Sequence, residues 1–276
     1  MTAFPNRTTL GRSGLRVSKL GLGSSFKAPV ASYLDAFERG VNYFYWGSLR
    51  RSLMGDAIRE IARQKRDEIS VVLQSYSRWG WQLERSVEGA IRKLGIDHGD
   101  VLLLGWHNSA PPRSVVDAAL ELKHRERIRT VAISSHRRTF FPTLLDDDTY
   151  SIWHVRYNAV HRGAEKDVFP TLETKAEGER PGVVTYTTTS WGQLCDPAKT
   201  PSGEPTPTGT DCYRFAISNP DVDLCLAGPD NADQMNQALA ALELGPMDEE
   251  EQAWMRRVGD YIYGKDATAS LRDGAT

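Results

Sequence analysis

Short runs rich in β-branched and aromatic residues alternate with longer amphipathic segments along almost the whole chain. The former are typical of buried strands, and apolar residues three and four positions apart are typical of helices. The eight predicted strands are 17–23, 41–46, 69–75, 100–106, 129–135, 151–158, 182–188 and 222–228. The helix-length segments are 31–39, 53–64, 83–95, 114–124, 167–178, 211–218, 230–242 and 247–262.

The alternation of strands and helices implies parallel pairing, because a helical crossover returns the chain to the same edge in the same direction. Eight such units predict an α/β fold, a (β/α)8 TIM barrel formed by a single domain over residues 1–276, with a C-terminal helix at 247–262. A doubly wound sheet is the competing interpretation. It usually carries a G-x-G-x-x-G turn after its first strand, and GLGSSF at 21–26 has Phe26 where the third glycine belongs.

Two segments fall outside the alternation. Residues 196–210, DPAKTPSGEPTPTGT, are rich in Pro, Thr and Gly and follow the seventh predicted strand. In a barrel this position is at the C-terminal face, where active sites lie, so we expect either a mobile surface loop or a flap over a ligand. Residues 264–276 carry no apolar period and are expected to fray.

Composition narrows the functional classes. The formal charge is −2, so the chain as a whole has no electrostatic attraction to nucleic acid or to an acidic membrane. The three cysteines lack CxxC spacing, which argues against a disulfide framework or a cysteine-based metal site. The N-terminus has no apolar signal segment, and runs such as 101–106 are too short to span a bilayer. We therefore expect a soluble, cytoplasmic protein with no nucleic-acid or membrane partner.

Six segments, in order along the chain, carry a resemblance to one family. They are LGRSGLRVSKLGLGSS, AFERGVNYF, DVLLLGWHN, YNAVHRGAEKDVFP, VVTYTTTSWGQL and VDLCLAGPDNADQMNQAL, between residues 9 and 242. In this order they resemble the signature segments of the aldo-keto reductases. The resemblance implies a (β/α)8 barrel and a nicotinamide cofactor, NAD or NADP, that delivers hydride to an aldehyde or ketone.

The family's catalytic tetrad has no direct counterpart in this sequence. The resemblance implies an Asp after the second strand, and Tyr45 stands there. The family's Tyr falls on Arg50 or Trp46, depending on how the shortened segment is aligned. The Lys position is Ser75 and the His position is Gly105. Because one positioned acid supplies about 10²–10⁴-fold in rate, the standard mechanism is not expected here.

Three residues are the candidate catalytic substitutes. Tyr45 is able to act as an acid if nearby Arg50 or Arg51 lowers its pKa; the alternative is an aromatic ring that fills vacated space. His107 lies two residues beyond Gly105, and residues two apart on a strand share a face, so it is placed to orient a substrate carbonyl. The alternative is a loop histidine beyond a strand end. The third candidate is Arg50.

The resemblance also implies residues that bind the cofactor. They are Ser134 and Ser135 at the family's Ser-Asn pair, His154 at a Gln position, the stacking Tyr186, Gly192 and Leu194 in the pyrophosphate loop, and Gly228 and Gln234 near the adenosine phosphate. His154 is also a candidate for orienting the substrate. Residues 226–242 contain no Lys or Arg, whereas Asp230 and Asp233 lie there. A 2′-phosphate would meet these carboxylates, so the sequence favours NAD over NADP, or no dinucleotide.

Two functions remain open at this stage. One is a divergent oxidoreductase that acts on a small carbonyl or alcohol substrate with relocated catalytic groups. The other is a non-reductase or non-catalytic barrel that binds a ligand or a protein partner in the same cleft. Aromatic residues near the expected mouth suggest a flat or apolar ligand. They are Tyr45, Trp46, Tyr76, Trp79, Trp81, Trp106 and Trp191.

Overall fold

Eight parallel strands form a closed barrel in the computed structural model, which describes residues 3–5, 7–24, 27–47 and 52–265. Each strand pairs with the next along the chain, and the eighth closes on the first through Leu226 opposite Gly21. The predicted barrel is therefore confirmed. The barrel strands are Leu20–Gly23, Tyr43–Trp46, Ser70–Ser75, Gly99–Leu104, Ile128–Ser134, Ile152–Arg156, Gly182–Tyr186 and Leu224–Ala227.

Helices pack around the outside of the barrel and match most of the predicted segments. Among the described residues they are Val30–Glu38, Ser52–Lys65, Gly80–Leu94, Arg113–His124, Ala164–Asp167, Phe169–Leu172, Gly209–Ser218, Ala232–Leu244 and Glu249–Lys265. The connection after the fifth barrel strand is instead a 3-10 segment, Arg138–Leu144, which contains Pro142. Proline removes a helical hydrogen bond and clashes with the preceding turn, so it disfavours a regular α-helix there.

Apolar side chains form two layers. The inner layer fills the barrel with residues such as Val72, Val101 and Leu103, which leaves a packed interior rather than a pore. The outer layer lies between the strands and the helices and includes Phe44, Leu102 and Trp153. Successive residues of a strand point to opposite faces, so both faces of the strands are apolar. This explains why the strands appear in the sequence as nearly continuous hydrophobic runs.

The first predicted strand, 17–23, is wrong as a single element. Arg16–Val17 pairs with Thr8–Thr9 in a separate two-stranded hairpin, and only Leu20–Gly23 enters the barrel. Leu10 of this hairpin packs against Gly182, where the seventh barrel strand begins. The hairpin therefore covers the N-terminal end of the barrel and leaves the C-terminal end open.

The segment 196–210 contacts the C-terminal helix Glu249–Lys265. Glu204 pairs with Arg257 at 2.6 Å, and the Trp254 indole N–H donates to the Pro205 carbonyl over 3.3 Å. A Thr208–Asp211 capping box then begins helix Gly209–Ser218, which takes in the last two residues of the predicted loop. The mobility of this loop stays a prediction.

The chain's C-terminus differs slightly from expectation. Helix Glu249–Lys265 extends over Gly264 and Lys265, the first two residues of the segment expected to fray, and the fraying itself stays a prediction. The rest of that segment lies outside the described residues. In the part of the chain that the structure describes, no helix has the length and apolar character needed to cross a membrane.

Candidate active site

A cleft of about 760 Å³ opens at the C-terminal end of the barrel. This end of a (β/α)8 barrel carries the active site in characterised enzymes. The walls come from the ends of the first, second, seventh and eighth strands and from the loops after them. The lining residues are Gly23, Tyr45, Tyr186, Thr187, Thr188, Thr189, Trp191, Gly192, Cys195, Gly209, Tyr213, Leu226, Ala227, Gly228, Asp230, Gln234 and Gln237.

The loop after the seventh strand forms one wall under unusual backbone constraint. Thr187, Ser190 and Trp191 have φ of 63°, 51° and 56°, in the left-handed region that disfavours residues other than glycine. Asn158 stabilises the loop by donating from Nδ2 to the Thr187 carbonyl over 2.8 Å. The Ser190 Oγ is buried without a hydrogen-bond partner among the described residues. Such strain concentrates at ligand-binding loops.

The opposite wall holds the N-terminus of helix Ala232–Leu244. Asn231 caps the helix by accepting from the Gln234 backbone N–H at 2.9 Å. The Gln234 side chain accepts in turn from the Asp230 N–H at 2.8 Å, and Asp230 Oδ1 accepts from the Lys27 N–H at 3.2 Å. The helix dipole therefore favours an anion at this end, whereas the Asp230 carboxylate adds a negative charge to the same wall.

Tyr45 lies where the second strand meets the cleft. Its hydroxyl donates a hydrogen bond to Gln74 Oε1 on the neighbouring strand. Burial raises the pKa of Tyr45 well above its ordinary value, with further contributions from Tyr76, Tyr186 and Tyr43. The expectation of a lowered pKa for Tyr45 is therefore wrong, and Arg50 and Arg51, which were expected to lower it, lie outside the described residues. The Tyr45 phenol stays protonated.

Gln74 and Tyr76 occupy the space next to Gly105. A Cβ at position 105 would lie 2.7 Å from Tyr76 Cε1 and 2.8 Å from Gln74 Nε2. Ser75, in contrast, is buried on the other face of the strand, where its Oγ accepts from the Ser77 N–H. Gln74, not Ser75, thus faces Tyr45. Sequence reasoning missed Gln74, although strict strand alternation places it on the same face as Tyr76.

His154 lies deep in the barrel and outside the cleft lining. Its Nε2 is 3.1 Å from the Tyr43 hydroxyl, and its ring centroid is 6.1 Å from that of Tyr45. Burial lowers the pKa of His154 to about 3, so the ring is neutral at pH 7. The neutral imidazole supports the floor of the site beneath Tyr45.

His107 is held by an arginine rather than presented to the cleft. Arg78 Nη1 lies 3.1 Å from His107 Nε2, and because arginine only donates, Nε2 is the acceptor. Burial, together with the positive charge of Arg78, lowers the pKa of His107 to about 4. The ring is therefore neutral, and the nitrogen that faces Arg78 is already occupied.

Ser134 and Ser135 connect two loops at the barrel mouth. Ser134 Oγ accepts from the Trp106 N–H at 2.9 Å. Ser135 Oγ donates to Asn108 Oδ1 and accepts from the Arg137 N–H. Both hydroxyls thus fix the loops after the fourth and fifth strands.

The structure brings together part of the residue set predicted from sequence. Those that line the cleft are Tyr45, Tyr186, Gly192, Gly228 and Gln234. Those outside its lining are His107, Ser134, Ser135, His154 and the fully buried Leu194. Arg50 lies outside the described residues. Within the described part of the chain, no group of three or more His, Cys, Asp or Glu side chains is arranged to hold a metal ion.

Solved structures of aldo-keto reductases superpose on almost the whole barrel. The holo form of aldo-keto reductase AKR11C1 from Bacillus halodurans has a TM-score of 0.75 at 21% identity, over 91% of this chain and 95% of that one. The chain has the aldo-keto reductase fold. An aldo-keto reductase from Klebsiella pneumoniae, solved with NADPH, has a TM-score of 0.74 at 18% identity, over 93% of this chain and 96% of that one.

The sequence of a plant enzyme is also similar to part of the chain. L-galactose dehydrogenase of Arabidopsis thaliana is 22% identical over 61% of this chain, and the match spans 62% of the plant enzyme's length. No family model matches the chain. The aldo-keto reductase resemblance expected from the sequence is thus confirmed for the fold.

Proposed function

We propose that this chain is a nicotinamide-dependent oxidoreductase that interconverts a small carbonyl compound and its alcohol. The observation that carries the proposal is the position of the Tyr45 phenol at the edge of a dinucleotide-sized cleft, beside Tyr186. A carbonyl that gains hydride develops negative charge on oxygen, and a positioned acid in a water-poor site lowers that barrier. The Klebsiella pneumoniae enzyme solved with NADPH supports the proposal by analogy of fold.

The cleft residues fit a nicotinamide dinucleotide. The volume of the cleft falls in the range of about 300–1,000 Å³ that is common for ligand and cofactor sites. The strained loop leaves the buried Ser190 Oγ without a partner among the described residues, and the helix after Asn231 directs its N-terminus at the same space. Tyr186 provides a flat ring for a nicotinamide face. The bound cofactor would supply hydride, and the protein's contribution would be placement and proton transfer.

Tyr45 is the proton donor in this proposal. Its raised pKa keeps the proton on the phenol at neutral pH, where it serves as a hydrogen-bond donor to a substrate oxygen. In the described structure the phenol donates its single proton to Gln74 Oε1, so a substrate oxygen must replace that acceptor before it can receive the proton. When a substrate oxygen takes the phenol proton, rotation of the Gln74 amide brings Nε2 to the phenol oxygen and stabilises it. Gln74 thus supplies a neutral donor where the family uses a lysine.

The cofactor in this proposal is NAD rather than NADP. Asp230 lines the cleft near the helix N-terminus, and a carboxylate in a dinucleotide site can accept a hydrogen bond from a ribose 2′-hydroxyl, as in doubly wound folds. A 2′-phosphate would be repelled by the same group. The NADPH found in the Klebsiella pneumoniae enzyme is a property of that enzyme.

A binding rather than catalytic barrel is the second candidate function. The observation in its favour is a set of exposed aromatic side chains around the mouth: Tyr76, Trp79, Trp81, Trp106 and Trp191, each more than half exposed. Exposed apolar groups clustered at one face mark interaction sites. A protein partner of the barrel would contact them.

Cofactor titration separates the two functions. The purified protein is mixed with NADH and, separately, with NADPH, and nicotinamide fluorescence is followed; aldehydes of differing size are then added and NADH oxidation is recorded. Binding and turnover support the oxidoreductase. A protein that purifies without nucleotide and shows no spectral change with either cofactor contradicts it and leaves the binding function.

A further inference from the structure

Arg156 ends the sixth barrel strand, Ile152–Arg156, on the side where the cleft opens. Side chains two positions apart on a strand share a face, and His154 extends into the barrel to meet Tyr43. The Arg156 side chain therefore extends from the same inner face of the strand as His154, two residues nearer the C-terminal mouth of the barrel. Its register partner on the seventh strand is Tyr186, which lines the cleft.

Arg156 has no acidic partner in the described part of the chain. Three arginines with little exposure meet a carboxylate: Arg138 with Asp167, Arg180 with Asp223, and Arg214 with Glu251. Arg78, which is half-buried, instead donates to backbone carbonyls and to His107. No described carboxylate lies within 4.0 Å of Arg156, and its buried Nε lacks a hydrogen-bond partner there. A partly buried cation without a counter-ion is costly. An anion that entered the mouth would therefore gain an ionic partner in Arg156.

The groups around Arg156 are neutral aromatic rings. Its guanidinium carbon lies 5.3 Å from the centre of the Trp191 ring. Burial raises the pKa of Tyr186 to about 12, and the charge of Arg156 together with a side-chain hydrogen bond to it acts in the opposite direction. Burial, together with the charge of Arg156, lowers the pKa of His136, and the neutral His136 ring stacks with Trp106. Neutral, partly buried surroundings strengthen the attraction between Arg156 and an anion, because they screen charges less than water does. None of these rings offsets the positive charge of Arg156 with a negative one.

We propose that Arg156 binds the carboxylate of the substrate, so that the preferred substrates are carbonyl compounds that also carry a carboxylate. The guanidinium fork matches a carboxylate in two parallel hydrogen bonds, and a single arginine balances a single negative charge. Arg156 adjoins the cleft through its register partner Tyr186, and Tyr45 lines the same cleft. In this proposal the carbonyl end of the substrate lies at Tyr45 and the carboxylate end points towards Arg156. The inference rests on the proposed function, because it specifies the substrate class for that cleft.

A matched pair of substrates tests the assignment. The pair is 4-carboxybenzaldehyde and methyl 4-formylbenzoate, which share the reacting aldehyde and differ in charge. The wild-type protein is expected to favour the acid in kcat/KM by about 10- to 100-fold, the usual size of a charge-assisted contact. Arg156→Gln raises KM for the acid by that factor and leaves the ester and NADH affinity unchanged, and Arg156→Lys restores part of the preference. Arg113→Gln, at an exposed arginine paired with Asp117, is the control.

Direct binding separates failure of this inference from failure of the proposed function. Benzoate and methyl benzoate are titrated calorimetrically into the wild-type protein and Arg156→Gln without cofactor. Benzoate binding that Arg156→Gln abolishes supports the anion site even if no aldehyde is turned over. The inference is overturned if acid and ester behave alike, if benzoate binding is independent of Arg156, or if Arg156→Gln weakens NADH binding by the same factor, in which case the arginine serves a cofactor phosphate. A phosphate-bearing aldehyde preferred over the carboxylate would overturn the carboxylate assignment.

Discussion

The Tyr45 hydroxyl donates a hydrogen bond to Gln74 Oε1 across neighbouring barrel strands. Gly47 and Gly105 make this contact possible, since a Cβ at either position would lie within 3.0 Å of Gln74. The pair is neutral on both sides. The buried phenol therefore keeps its proton without a counter-charge beside it. A charged pair in the same place would need further charges to compensate it.

Replacing Tyr45 by Phe tests its role as proton donor. The variant keeps the ring and loses the hydroxyl, so kcat for aldehyde reduction is expected to fall about 10²–10⁴-fold while NADH affinity is unchanged. Steady-state kinetics and cofactor titration measure the two effects. Tyr150→Phe is the control, because Tyr150 is buried in the loop before the sixth strand, at the other end of the barrel. Full turnover by Tyr45→Phe would exclude the phenol as the acid.

His154 makes stability depend on pH in the acid range. Its pKa is about 3 in the folded protein and near 6.5 in the unfolded chain. The unfolded chain therefore binds more protons between these values, and the free energy of unfolding falls as pH drops from about 6.5 towards 3, by up to about 1.4 kcal/mol per pH unit. His154→Gln retains an amide near Tyr43 and removes this contribution.

Urea unfolding at several pH values between 7 and 4 measures the effect. The expected result is a shallower loss of stability in His154→Gln than in the wild-type protein. His124→Gln, at an exposed residue that ends a helix, should retain the wild-type slope. If the unfolding free energy falls equally steeply with decreasing pH in the wild type and in His154→Gln, protonation of the buried ring does not contribute to the pH dependence of stability.

The barrel could be predicted from the sequence because both faces of its strands are buried. Each strand is then an apolar run, and the helices between them have a distinct period. The hairpin Thr8–Thr9 with Arg16–Val17 was missed because its strands are too short to show a period. The 3-10 segment Arg138–Leu144 was missed because it is also too short to show a helical period. In both places local turns decide the structure.

The site was predictable only in part. Tyr45 and Tyr186 were identified through the aldo-keto reductase resemblance, which places them at the family's Asp position and at its stacking Tyr position, and both line the cleft. Gln74 was missed because the family phrase was aligned to Ser75, one residue beyond, and a shift of one residue moves a side chain to the other face. The lack of a carboxylate near Arg156 could not be predicted, because it depends on which side chains of neighbouring strands pack together in the barrel.

Gly259 allows the C-terminal helix to pack closely against the barrel. A Cβ at this position would lie 2.0 Å from the Ala159 carbonyl oxygen and 2.4 Å from its carbon. Backbone atoms cannot rotate away, so Gly259→Ala must displace the helix, and we expect a loss of about 1–3 kcal/mol in unfolding free energy. Gly264→Ala lies on the same helix with no atom within 4 Å and should be neutral or stabilising by up to about 1 kcal/mol. Equal urea midpoints for the two variants would contradict this packing.

Asp230 is expected to set the preference between NADH and NADPH. Its carboxylate lines the cleft at the start of helix Ala232–Leu244, and residues 226–242 provide no cation to offset a 2′-phosphate. Asp230→Ser removes the repulsion, so the Kd for NADPH should fall about tenfold, which corresponds to ~1.4 kcal/mol, within the range for one screened charge pair. NADH should bind slightly more weakly, because a ribose hydroxyl exchanges a charged acceptor for a neutral one. Asp233→Ser, three residues further along and outside the cleft lining, should change neither Kd. Fluorescence titration at physiological salt measures the six dissociation constants of the wild type and the two variants, and tight NADPH binding by the wild-type protein would refute the preference.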